Sequence, residues 1–187
     1  MANNYLNFSE VLPRLTAEEE QWLEHQLEVV SVFGDREFAE GEDIPDDVEG
    51  EEWNGCRAYR DMPDYDADYG DGPGFEYAFE TDSDSDGWGR HLWVYAEEGA
   101  CLDRLSHLIK KFLKQFRPDQ CWSLTYATSC SKPRVGEFGG GALFVTADEI
   151  LWQNAYDFVD QQYAAFKQRR ATKQEKGKYD KKDKPKA

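Results

Sequence analysis

The chain has 187 residues, 38 of them Asp or Glu against 22 Lys or Arg, for a formal net charge of −16. That length suits one domain with a proper core, and 27 aromatic residues are too many for a wholly disordered chain. Such a negative surface excludes direct nucleic-acid binding by the main body and points to basic protein surfaces and cations as partners.

Met1 to Tyr5 show no basic flank followed by an apolar core, so no signal peptide is expected. No apolar run approaches the ~20 residues of a membrane span. The chain is read as a cytoplasmic protein. Thr16 and Glu19 form a capping box, with Pro13 just upstream. Leu23, Leu27, Val30 and Phe33 continue at helical spacing, so a helix is expected from about 17 to 32, ended by Gly34.

Between Asp35 and Asp86, twenty acidic residues stand against Arg36, Arg57 and Arg60, a local net charge of −17. From 35 to 74 periodicity fails, and Pro45, Pro63 and Pro73 with six glycines punctuate the chain, so an irregular acidic segment is expected. At most a short strand near Cys56–Arg60 interrupts it. Trp53, Tyr59, Tyr65 and Tyr69 lie among the acids and are expected to pin the segment to the body.

Phe75 to Glu80 alternates with period two, and His91 to Ala96 follows after a polar loop, which together read as a β-hairpin. A helix is expected from Ala100 to Phe116, with Leu105, Leu108, Ile109 and Phe112 on one stripe and Pro118 behind it. Cys121–Thr128 and Gly141–Ala147 read as two further strands joined by the loop Ser131–Gly140. Residues 148–153 fit a strand or the start of a helix. Thr146 and Glu149 supply capping-box residues, whereas Ile150 and Trp152 favour extended chain. A last helix reaches about Arg170.

The expected class is therefore α+β: an N-terminal helix, the acidic segment, then ββ-α-ββ-α with an antiparallel sheet covered by helices. Residues 1–170 form a single domain on this reading, and 171–187 a Lys-rich flexible tail. From Arg169 onward nine basic and three acidic residues give +6, leaving −22 on the rest.

Asp82, Asp84, Asp86 and Gly87 match the first half of an EF-hand loop, which presents hard oxygen ligands at alternate positions. The twelfth position is Trp93 where a bidentate Glu belongs, so weak Ca²⁺ binding is a minor alternative. No other cofactor is expected. Asp64, Asp66 and Asp68, with Asp71 nearby, form a similar acidic ladder interleaved with Tyr65 and Tyr69. Lys132 and Arg134 flank the Gly-rich stretch 131–141, a candidate contact for an anion. It lacks the P-loop spacing, and a strand follows rather than a helix.

Four cysteines, at 56, 101, 121 and 130, show no C-x-x-C spacing and read as reduced thiols. Cys121 or Cys130 would need a neighbouring histidine to act as a nucleophile. Of the three histidines, His107 is expected to pair on the surface with Asp103.

The leading functional expectation is an acidic interaction module that binds a basic protein surface. Its sharpest form is a nucleic-acid mimic inhibiting a DNA- or RNA-acting system. Asp64, Tyr65, Asp66, Asp68, Tyr69, Asp71, Asp82, Asp84, Asp86, Lys132 and Arg134 are the expected contacts. The main alternative is an enzyme that takes a small anionic substrate at the loop 131–141.

Overall fold

A computed structural model describes residues 2–33, 36–39, 41–45, 48, 50, 52–62, 70–82 and 87–182, with side chains as far as Arg170. Asp64, Tyr65, Asp66, Asp68, Tyr69, Asp84 and Asp86 lie outside the described residues, as do 183–187. Among the described residues the chain is a mixed α+β protein of nine strands and three helices, and its pairs of known register are antiparallel. Contacts divide it into two units, Met1–Trp152 and Gln153–Ala187. The division falls ahead of the last helix and not behind it.

The first unit opens with strand β1 (Asn4–Leu12), for which the sequence reading has no element. Leu6, Phe8 and Leu12 alternate toward the core, but Glu10 breaks the pattern and hides it. β1 is followed by helix α1 (Ala17–Leu27), and the capping box forms as expected. Glu19 N donates to Thr16 Oγ1 at 3.2 Å, and Thr16 N to a Glu19 carboxylate oxygen at 2.7 Å.

The helix ends eleven residues in, not sixteen. Glu28 is already extended, and Val29–Phe33 form strand β2. Val30 and Val32 are buried on one side of a small sheet, flanked by β3 (Arg36–Ala39) and β4 (Glu52–Cys56). Leu27 and Val30 satisfy helical spacing, yet Val29, Val30 and Val32 are β-branched and stiff at χ1. Pairing on both edges decides the conflict for the strand.

Among its described residues the segment 35–74 thus carries two short strands, β3 and β4, and one 3₁₀ turn at Arg57–Tyr59. Of the strand expected near Cys56–Arg60 only Cys56 is in a strand, the last residue of β4, and Arg57–Tyr59 turn as a 3₁₀ helix instead.

The hairpin is present as β5 (Glu76–Thr81) and β6 (Arg90–Ala96). Helix α2 (Leu102–Phe116) follows, then β7 (Cys121–Cys130) and β8 (Gly139–Thr146). Residues 150–154 form a ninth strand, β9 (Ile150–Asn154). Thr146 closes the preceding turn: its Oγ1 accepts from Asp148 N and Glu149 N, and Thr146 N donates to Glu149 O at 3.0 Å. The capping-box residues therefore close a tight strand connection instead of starting a helix.

The large sheet runs β5-β6-β1-β7-β8-β9, with β1 at its centre between β6 and β7. Leu105, Leu108, Ile109 and Phe112 of α2 are fully buried and meet Leu92, Val94, Leu124, Leu143 and Val145 in one core. Each such side chain contributes on the order of 2 kcal/mol of transfer free energy. Arg117 of the α2 C-terminus donates to both carboxylate oxygens of Glu19, at 2.7 and 2.9 Å, and to the carbonyls of Pro13 and Arg14. That pair locks the start of α1 to the end of α2, and it holds the Glu19 carboxyl below the usual glutamate range.

The second unit is helix α3 (Ala155–Lys182), which continues past Arg170. Tyr156, Phe158, Val159, Tyr163 and Phe166 are all exposed on it.

Candidate functional site

The end of the acidic segment is fastened to the body by cations and aromatics. The fully buried Arg104 guanidinium donates to Gly70 O at 2.9 Å and Gly72 O at 2.7 Å, and it lies over the Tyr59 ring. The Tyr59 hydroxyl donates to Pro73 O at 3.2 Å, and Cys101 N to Gly74 O at 2.6 Å. A Cβ on Gly74 would lie 2.9 Å from Cys101 Cβ, and its φ of +77° favours glycine. Arg57 pairs with Glu28 and Glu37. The expected anchoring thus holds at Tyr59, with Trp53 packed on the core. Asp71 is exposed, and its backbone carbonyl faces the Cys56 thiol.

At the hairpin tip, Asp82 is committed to its own loop. Its carboxylate accepts from Trp88 N at 3.0 Å, and its amide donates to Gly89 O at 3.2 Å. This holds Trp88 above the next strand, where its ring meets His91 edge-on at 5.6 Å. His91 is buried; its Nδ1 donates to Gly89 O at 2.8 Å, which leaves Nε2 pointing to Glu80 at 3.8 Å.

These groups belong to the sheet face that no helix of the first unit covers. The period-two alternation of β6 sends Leu92, Val94 and Ala96 into the core, and His91, Trp93 and Tyr95 to the other side. Register places Glu80, Ala78 and Glu76 of β5 opposite those three, and Val11 and Ser9 of β1 opposite Trp93 and Tyr95. Trp93 and Tyr95 stack at 4.1 Å, and the Trp93 indole N–H donates to Ser9 Oγ at 2.9 Å. Desolvation first, then Glu76, Glu97 and Glu80, push the Tyr95 phenol above its ordinary value.

The result is a cleft of about 330 Å³ lined by Ser9, Glu10, Val11, Glu80, Trp88, His91 and Trp93. Two indole surfaces and a half-exposed carboxylate in one concavity favour a guest that is cationic and partly apolar.

The other expected contacts do not join this cleft. Lys132 and Arg134 are exposed in their loop, and the hollow beside it, about 360 Å³, is lined from that loop by Gly136 and Glu137. A glutamate, not a cation, faces that space. Among the described residues no group of three or more His, Cys, Asp or Glu side chains converges as a metal site. Burial pushes the Cys56 thiol up to about 12, so it stays protonated, and it donates to Leu27 O at 3.2 Å. His107 pairs with Asp61 at 3.4 Å, not with Asp103 as its helical spacing suggests. No described helix is long and apolar enough to cross a membrane.

Sequence reasoning missed Trp88, His91, Trp93 and Glu80 as a group. The signal was present: β6 carries aliphatic Leu92, Val94 and Ala96 on one parity and His91, Trp93 and Tyr95 on the other, so the aromatic set had to face away from an aliphatic core. No protein-family model matches this chain, and no curated protein or solved structure matches it either.

Proposed function

We propose that this protein is an acidic interaction module that receives a basic side chain of a protein partner in the cleft on its open sheet face. The observation that carries this reading is the convergence of Trp88, Trp93 and Glu80 on one concavity. An inserted Arg or Lys finds indole surface for cation–π contact and a carboxylate for its charge. The surrounding Glu76, Asp82 and Glu97 add to a negative field that steers a basic surface toward the cleft. The aromatic pair supplies the anchors on which interface energy concentrates. Inhibition by nucleic-acid mimicry is the special case in which the partner's basic surface is one that normally holds phosphates.

The test is a titration with an arginine-rich peptide, followed through the indole N–H signals of Trp88 and Trp93 and repeated at rising salt. Binding should shift both signals and weaken steeply as salt screens the field. Trp93→Ala should cost roughly 30-fold in affinity, the equivalent of an anchor worth about 2 kcal/mol. Binding that ignores salt, or that leaves both indoles unmoved, overturns the reading.

A further inference from the structure

Helix α2 carries a second feature that is opposite in charge. His107, Lys110, Lys111 and Lys114 follow one another at spacings of three, one and three, so they share one face of the helix. Together with Trp22 of α1 they line a groove of about 600 Å³, within the range of small-ligand sites. Asp61 reaches into it and pairs with Lys111 and His107. Lys111 is further held by donating to Ala58 O at 2.7 Å.

Lys110 and Lys114 are different: among the described residues neither forms an ion pair. In a chain with 38 acids and 22 lysines and arginines, two unpaired ammonium groups beside a third are an unexpected concentration of positive charge. Like charges at this helical spacing repel each other, a cost that a bound anion removes. The partly buried ring of Trp22, packed against Phe112 and Phe116, forms a rigid wall beside them.

We infer that this groove binds a small polyanion carrying two or more adjacent negative charges, of which a diphosphate is the simplest. Lys110 and Lys114 supply the free charges, Lys111 is oriented by Asp61, and Trp22 limits the depth. His107 serves as an internal reporter. Burial first, and then Lys111 and Lys110, hold its imidazole below the ordinary histidine value, against the opposing pull of Asp61. An anion seated on the lysines stabilises the imidazolium and moves that value up. This site is remote in kind from the acidic cleft and does not rest on it.

The experiment is a titration of the full chain with inorganic pyrophosphate, following the Lys110, Lys114 and His107 signals by NMR. Saturable shifts at all three are expected, with an upward movement of the His107 titration midpoint. The double substitution Lys110→Gln/Lys114→Gln should weaken binding at least tenfold, because it removes the two unpaired charges while sparing the core. Lys132→Gln/Arg134→Gln should leave it unchanged. Raising salt from about 0.05 to about 0.5 M should weaken binding to the unmodified chain severalfold. Absence of saturable shifts at millimolar pyrophosphate, or equal affinity in the Lys110/Lys114 variant, overturns the inference.

Discussion

In β8, Leu143 and Val145 are buried in the core under α2, while Ala142 and Phe144, their immediate neighbours, are exposed. The same division runs through β7, where Trp122 and Leu124 are buried and Ser123 and Thr125 exposed. In β6 the core side is aliphatic, whereas the far side holds His91, Trp93 and Tyr95. One set of strands therefore presents an apolar face that holds the fold together and a polar, aromatic face that is left open. Because the division follows the two-residue repeat of a strand, neighbours in sequence belong to different tasks. Stability and the proposed recognition therefore fall on different residues of the same strands.

The comparison breaks most readily at β8. Leu143→Ala should cost about 2–5 kcal/mol in chemical denaturation, because it leaves a cavity among closely packed side chains. Phe144→Ala should cost far less, since that ring is 40% exposed. Equal costs would mean that the register of β8 is shifted by one.

Gly140 is an instructive exception on the open face. A Cβ there would lie 2.4 Å from Tyr126 O of the neighbouring strand, and its φ is +154°. Gly140→Ala should therefore destabilise by about 1–3 kcal/mol despite its position, measured in the same denaturation series. A neutral result would show that β7 and β8 can separate at that end.

On the covered side, the Glu19–Arg117 pair offers a pH-dependent test. Its folded-state value is depressed, so its contribution is fully present above the ordinary value of 4.5 and is lost as pH falls through the depressed one. The excess Tm of the unmodified chain over Glu19→Gln should be largest near neutral pH and shrink below about pH 4.5. A gap that stays constant into acid would mean that the pair does not ionise as the geometry requires. The smallest effect expected is that of Phe144→Ala itself, within about 0.5–1 kcal/mol and with the fold intact.

Much of this architecture was legible from residues alone. The hairpin β5–β6, helix α2 and strands β7 and β8 stand within about three residues of where their periodicity puts them. Those elements each have one face in the core, so the burial pattern is written into the spacing. β1 was not legible, because Glu10 interrupts its apolar alternation and no turn signal precedes it. β2 was misread as the end of α1, because Leu27, Val30 and Phe33 continue the helical spacing, while the two-residue alternation that buries Val30 and Val32 is only five residues long.

The acidic cleft was legible only in part. Asp82 stood out as an acid at the hairpin tip, yet its carboxylate accepts from Trp88 N and works as a loop clamp. The groove residues Lys110, Lys111 and Lys114 were visible only as charges suited to the C-terminal end of a helix dipole.

The class, the elements with a clean apolar face and the sign of the net charge could be read from the residues alone, because period, caps and composition are local properties of the chain. That β1 lies inside the sheet, between β6 and β7, is settled by long-range pairing. The same holds for the open face beside it and for the three lysines of α2 gathered beside Trp22 of α1. Those arrangements join residues far apart in sequence, and the free energy that selects them comes from strand pairing and core burial, which no short window of residues contains.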